Sequence, residues 1–356
     1  MLPGRFDPQR LTALVDAILV RSGSTPEEAA IVAANLVDAD ATGHASHGVC
    51  QIPVYMRSLE LGHLQPNRHA RILRDEAPFL VVDGDVGYGQ VIGREATELA
   101  IARAQAGGAC ILTLRNAHHI GRVGAFGEQC IAAGLVGVFF VNVVSRPLAA
   151  PHGGARPRLA TNPICIAVPA TPRHGAFLLD FATSAIAANK CRVAAARGEP
   201  VAEGLLIDEH GQPTRDPGTM FRDPTGAILP FGGYKGYGLA LACEILAGAL
   251  GAALPAVPEN LRPGRVVNNA LAFVIDPARA ATDADGWQGL ADAVLDYVTG
   301  TPAAPGSAGV LIPGVPERHH REKVAAQGIA LDPGTVQALH RIGGEVGVDV
   351  DRVLCS

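Results

Sequence analysis

The densest chemistry in the sequence lies in "GHASHGVCQIPVYMR", residues 43–57, where Ser46 and His47 are neighbours in a glycine-bounded stretch. A serine beside a histidine suggests a nucleophile and its base. The hydrolase elbow, however, reads G-x-S-x-G, and Gly43-His44-Ala45-Ser46-His47-Gly48 has one residue too many before the serine. Two further histidine pairs follow, His118-His119 in "NAHHIGRVG" and His319-His320. Zinc would want spaced ligands with a thiol or carboxylate partner, and neither H-E-x-x-H nor a C-x-x-C occurs, so no metal is expected. "FLLDFATS" closes an apolar run on Asp180. A buried carboxylate there needs a partner, and imidazole is the natural one; the plain alternative is a helix cap. "FGGYKGYGLAL" sets Lys235 in a glycine-rich turn at a helix start. Backbone N–H groups, a positive dipole end and an ammonium make an anion site for a phosphate or a carboxylate, against the alternative of a solvated lysine. Thr161-Asn162-Pro163 reads, on its own, as an ordinary turn.

These residues need elements to hold them. Asp7 caps and Pro8 starts a helix with its apolar stripe on Leu11, Leu14, Val15, Ile18 and Leu19, ending near Gly23. Thr25-Pro26-Glu27-Glu28 is a capping box that opens a second helix, which runs out at Ala41-Thr42-Gly43. His44 to His47 therefore follow a helix C-terminus, whose dipole would favour a protonated imidazole. From residue 79 the pattern changes to short β runs: "FLVVD", "CILTL", "VGVFFVNV", "ICIAV", "FLLDF", "LAFVID" and "GVLIP". Helical stretches fall between them near 93–106, 123–133, 236–253 and 286–299, and the tail after Pro316 is helical again. Gly87-x-Gly89-x-x-x-Gly93 imitates a dinucleotide fingerprint, but its last spacing is wrong and no acidic residue follows at the required distance, so it reads as a tight turn. The expected architecture is mixed α/β. A helical unit built from residues 1–75 with 315–356 flanks a mixed-sheet unit over 76–314.

Bulk properties remove several function classes. With 356 residues, a net charge of -5 and no cluster of Lys and Arg, the chain has no footprint for nucleic acid. Residues 238–257 are apolar enough to suggest a membrane span, but Glu244 and the Ala/Gly richness favour a buried helix. Seven scattered cysteines, odd in number, suit a reducing compartment. With no apolar core at the N-terminus, a cytoplasmic protein is expected.

Six segments, in order, carry a resemblance: "DATGHASHGVCQIPVY", "NAHHIGRVG", "LATNPICIAVP", "LLDFATS", "GGYKGYGLALACEILAGAL" and "LIPGVPE". Together they resemble the malate/L-lactate/L-sulfolactate dehydrogenase-like family of NAD(P)H-dependent oxidoreductases, over essentially the whole chain. The resemblance implies a fold other than the doubly wound Rossmann type, a homodimer, and NAD or NADP laid across "DFATS" and "GYKG". By the same resemblance the cofactor would meet Ser145, Asp180, Phe181, Ala182, Thr183, Tyr234, Lys235 and Gly314. Ser46, His47 and Asp180 would form the proton relay. His119, Arg122, Gln51, Thr161 and Asn162 would address a small 2-oxo or 2-hydroxy carboxylate. Many relatives carry arginine where Gln51 stands, which makes Arg122 the nearest cationic substitute for holding the substrate carboxylate. A reductase of cyclic imino acids and a non-catalytic nucleotide-binding protein are the alternatives.

Overall fold

A computed structural model describes residues 4–283 and 286–355; the side chain of Cys355 lies outside the described residues. The chain opens with strand β1 (Arg5–Phe6) and helices α1 (Pro8–Arg21), α2 (Pro26–Ala41) and α3 (Ile52–Glu60). Next come β2 (Arg71–Glu76), β3 (Phe79–Asp83), α4 (Gly89–Gly107), β4 (Ala109–Ala117), α5 (Gly124–Ala132) and β5 (Val136–Val144). Then β6 (Ile164–Val168) and β7 (Phe177–Phe181) precede an excursion carrying α6 (Ala188–Arg197), β8 (Leu206–Ile207), β9 (Pro213–Thr214) and β10 (Ala227–Ile228). The rest is α7 (Tyr234–Cys243), β11 (Val267–Ile275), α8 (Pro277–Ala280), α9 (Gly286–Thr299), α10 (Val315–Gln327), β12 (Ile329–Ala330), α11 (Pro333–Val346) and α12 (Val350–Cys355).

Seven strands form one mixed sheet in the order β2-β3-β4-β11-β5-β6-β7. Within it β3 and β4 run parallel and the other pairs antiparallel. Seven of the nine residues of β11 are buried, the pattern of a strand covered on both faces. Phe139 and Val141 of β5 join the core under α4 and α5, with Ile92, Ala96, Phe126 and Cys130. Alternation then turns Asn142 to the opposite face, where it donates to Glu244 at 3.1 Å. "GVLIP" is not a strand. Pro313 cannot donate to a ladder, Gly309 takes φ 116°, and the segment's contact with the sheet is Leu178 N donating to Pro313 O.

A second core gathers both ends of the chain: Leu14 and Ile18 of α1, Leu36 of α2, Tyr55 of α3, Val324 of α10 and Leu339 of α11. The β1–β12 pair, with Phe6 opposite Ile329, ties them together. Tyr88 and Val91 belong to this core as well, so it reaches across the boundary expected at residue 75. The Asp7 cap forms as its sequence requires, accepting from Gln9 N and Arg10 N. The second cap closes differently. Thr25 Oγ1 accepts from Glu28 N, but Asn67 takes both reciprocal roles, accepting from Thr25 N and donating its own N–H to Glu28.

The apolar segment 238–257 resolves into α7 followed by a π-helical turn over Glu244–Ala249, and among the described residues no helix is long and apolar enough to cross a membrane. The turn puts Glu244 inside, where its carboxylate accepts from Asn162 Nδ2, Asn142 Nδ2 and Ala256 N. A buried carboxylate is tolerated where several donors satisfy it.

Candidate active site

His47 reaches its position because α2 stops. Gly43 turns left-handed at φ 84°, and the chain enters a 3-10 turn over Ala45–His47 and another over Val49–Gln51 before α3. Asp40, in the last turn of α2, pins this loop by accepting from Val49 N at 2.8 Å. A Cβ at Gly48 would lie 2.2 Å from that carboxylate, so the close approach requires glycine. His118 and His119 arrive on the loop after β4, which crosses the start of α4. A Cβ at Gly89 would sit 2.3 Å from His118 O, which explains that glycine without any nucleotide.

The two histidines from distant segments then meet. His47 Nδ1 lies 3.2 Å from His119 Nε2, with the rings 10° from parallel. His119 Nδ1 lies 2.7 Å from the Tyr55 hydroxyl, and that oxygen accepts from Gln90 Nε2 at 2.6 Å. His118 turns away and bonds Ser58 at 3.1 Å, a structural role. Burial holds His47 down to about 4, with Asp180 opposing and the charges of His44 and Arg122 adding to the drop. Burial likewise pulls His44 down, and His119 further, helped by His47 and His118. Desolvation therefore overrides the dipole, and the protonated imidazole expected at the end of α2 is not favoured.

Asp180, at the end of β7, accepts from Gly124 N at 2.6 Å and so caps α5. Burial raises its carboxyl, while the Gly124 N–H, Arg122 and His47 lower it. No hydrogen bond joins Asp180 to His47 among the described residues; the two act on each other through their charges.

Four of the expected substrate residues make contacts within the protein. Arg122 is only 2% exposed and its Nη2 donates to Asp38 and Glu128, which Arg321 also binds. The charge of Arg122 lowers the Asp180 carboxyl, and its Nε and Nη1 have no hydrogen-bond partner among the described residues. Gln51 Nε2 donates to Ser46 O at 2.6 Å, folding the side chain onto its own turn. Asn162, buried at φ 21°, accepts from Val143 N and donates to Ala240 O and Glu244, so its amide is fully occupied. Thr161 contributes its carbonyl, which accepts both the N–H and the hydroxyl of Thr183 at 3.0 Å.

The "DFATS" and "GYKG" segments do lie side by side. Phe231 N donates to Thr183 O, the Phe181 and Phe231 rings meet edge to face, and a Cβ at Gly236 would fall 2.7 Å from Thr183 O. Gly233 precedes α7 at φ 64° and no side chain caps that helix; Lys235 N and Gly236 N donate back to Gly232 O and Phe231 O, while the Tyr234 and Lys235 side chains are exposed at the helix start. The Lys235 ammonium at the positive end of α7 fits a phosphate of a dinucleotide. Ala182 is half-buried between Phe181 and Thr183, and Ser145 is half-buried just past β5. Gly314 packs on Leu178 of β7 at the start of α10. Among the described residues no group of three or more His, Cys, Asp and Glu is arranged to hold a metal.

Tyr55, Gln90, Asp40 and Gly124 form no chemical motif of the sequence. Tyr55 could have been found by continuing the "GHASHG" segment one helical turn past Gln51. Gln90 is hidden inside the misleading glycine turn.

Residues 6–340 match the malate/L-lactate dehydrogenase family model. The chain is 40% identical to hydroxycarboxylate dehydrogenase B of Escherichia coli O157:H7, covering 97% of this chain and 95% of that one. The sulfolactate dehydrogenase structure from Methanocaldococcus jannaschii superimposes with a TM-score of 0.85 at 34% identity, over 98% of this chain and 99% of that one. The Δ1-piperideine-2-carboxylate reductase structure from Pseudomonas syringae pv. tomato gives 0.80 at 29% identity, over 95% and 99%.

Proposed function

Because the chain belongs to the malate/L-lactate dehydrogenase family, we propose that it interconverts a 2-hydroxycarboxylate and its 2-oxo acid using NAD or NADP, with His47 as proton donor and acceptor. The observation that carries this reading is the His47–His119 contact at 3.2 Å, which occupies Nδ1 of His47 and leaves Nε2 for the reacting oxygen. Lys235, at the start of α7, would hold the cofactor phosphates, with Tyr234, Thr183, Ala182, Phe181, Ser145 and Gly314 around them. When bound, the nicotinamide supplies or accepts the hydride. The chain's own residues do the rest. His47 moves the proton at the substrate oxygen, Asp180 stabilises the imidazolium by its charge, and Ser46, next to His47 in the same 3-10 turn, belongs to the relay. His119 orients His47 from behind. A positioned acid of this kind contributes about 10²–10⁴-fold.

A panel of 2-oxo acids assayed with NADH and NADPH tests the proposal; no cofactor oxidation with any of them would leave a nucleotide-binding protein without catalysis. Reduction of a cyclic imino acid is the second reading, favoured by the fold shared with the piperideine-carboxylate reductase. Adding cyclic imines to the same panel separates the two.

The working form we propose is a cytoplasmic homodimer. Among the described residues six cysteines are free thiols, five of them buried, which suits a reducing compartment. Helix α9 turns Leu290, Val294 and Tyr297 outward at 73%, 61% and 84% exposure, while its buried residue is Asp292, held by Thr171 and Arg173. Leu241, Ile245 and Leu250 are exposed along α7 and beyond it. Apolar helix faces of this kind suit a subunit contact.

A further inference from the structure

The two histidines do not set their own proton positions. A neutral imidazole has one N–H and one acceptor nitrogen, and its partners decide which is which. At the inner end of the row, Gln90 Nε2 can only donate, and it lies 2.6 Å from the Tyr55 oxygen. Tyr55 has a single proton. With its oxygen receiving from Gln90, that proton points to His119 Nδ1, 2.7 Å away. His119 then carries its hydrogen on Nε2 and donates it to His47 Nδ1 at 3.2 Å. His47, in turn, holds its hydrogen on Nε2. Tyr55 is fully buried and Gln90 is 1% exposed, so water does not compete for these bonds. Burial also drives the Tyr55 hydroxyl well above its ordinary range, which keeps it a phenol.

We propose that Tyr55, oriented by Gln90, is the positioning residue that fixes the tautomers of His119 and His47, so that the neutral pair presents His47 Nε2–H outward. The identity of the oxygen it meets rests on the dehydrogenase reading; the tautomers do not. Placing a second proton on His47 requires the row to reverse. Both nitrogens of His47 then donate, so His119 accepts on Nε2 and gives its Nδ1 hydrogen to Tyr55. The Tyr55 proton then needs a new acceptor. Gln90 Oε1, buried and without a partner, provides it once the amide turns over. The added proton comes from outside the row, from the substrate hydroxyl or water, so the three hydrogens on Tyr55, His119 and His47 become four, with two of them on His47.

Nitrogen-15 NMR of histidine-labelled full-length protein, with no ligand added, reads the tautomers directly, because protonated and bare ring nitrogens resonate far apart. His47→Asn and His119→Asn identify the two rings among the twelve histidines. In the wild type, both rings should carry hydrogen on Nε2. Tyr55→Phe keeps the ring and removes the hydroxyl, whereas Gln90→Met keeps the hydroxyl and frees it. Each should turn the single His119 tautomer into a mixture, and Gln90→Met answers the question even if Tyr55→Phe does not fold. Hydrogen on Nδ1 of His119 in the wild type overturns the proposal, as does an unchanged Nε2–H tautomer in the variants. Since neither substrate nor turnover enters, this result stands apart from the oxo-acid panel.

Discussion

At the scale of single residues, His47 and Arg122 carry the sharpest expectations. His47→Asn should lower kcat for oxo-acid reduction by ~10²-fold or more while nicotinamide fluorescence titration reports nearly unchanged cofactor affinity. Near-normal turnover would move the proton step to His119. Arg122 was legible as the nearest cation to the site, but not as a buried one. Its partner Asp38 lies 84 positions back, and no local pattern announces that pairing. Losing one member of a buried ion pair costs roughly 3–5 kcal/mol. Arg321 still faces both carboxylates, so Arg122→Ala should destabilise by the lower end of that range in chemical denaturation. If stability holds and only KM rises, the guanidinium belongs to the substrate after all.

The element scale is where the loop carrying His47 is held. Asp40 is buried beneath it with one backbone donor, and burial raises its carboxyl from 3.8 to about 7, the Val49 N–H opposing and Asp332 adding to the rise. A raised carboxyl binds its proton more tightly folded than unfolded. Its favourable contribution is complete below pH 4 and is lost as pH climbs toward 7. At 1.36 kcal/mol per unit, the ionised form costs the fold up to about 4 kcal/mol above neutrality. The stability gained by Asp40→Asn should therefore be larger at pH 8 than at pH 5, as thermal melts would show; equal gains would mean the carboxyl is not strained by burial. At the start of α7, Lys235→Ala should weaken NAD(P)H binding more than it slows single-turnover chemistry. Unchanged affinity removes Lys235 from the cofactor. Helices with caps and apolar stripes, such as α1, were readable in advance because their signals are local. The π-turn at Glu244 was not, since its cause is a cluster of amides arriving from β5, β11 and the loop before β6.

For the whole molecule, the outward apolar face of α9 makes a claim about assembly. Light scattering should report a dimer, and Leu290→Asp with Val294→Asp should shift it toward monomer if α9 lies in the contact. A dimer that survives both changes uses another face, with α7 next to be tested. The mixed sheet was visible in the order of β and helical patterns. The place of β11 in the sheet was not, because register is decided by partners far away in sequence.

That place has a consequence for the ribosome. Strands β4 and β5 follow one another in the chain, yet each pairs with β11, which begins at Val267, more than a hundred residues after β5 ends. While the chain is being made, the inner edges of β4 and β5 remain open, and both are rich in apolar residues. Unpaired edges of that kind invite association between nascent chains. A chain released before residue 267 should therefore aggregate, whereas the full chain can close its sheet in one late step, from the middle outward.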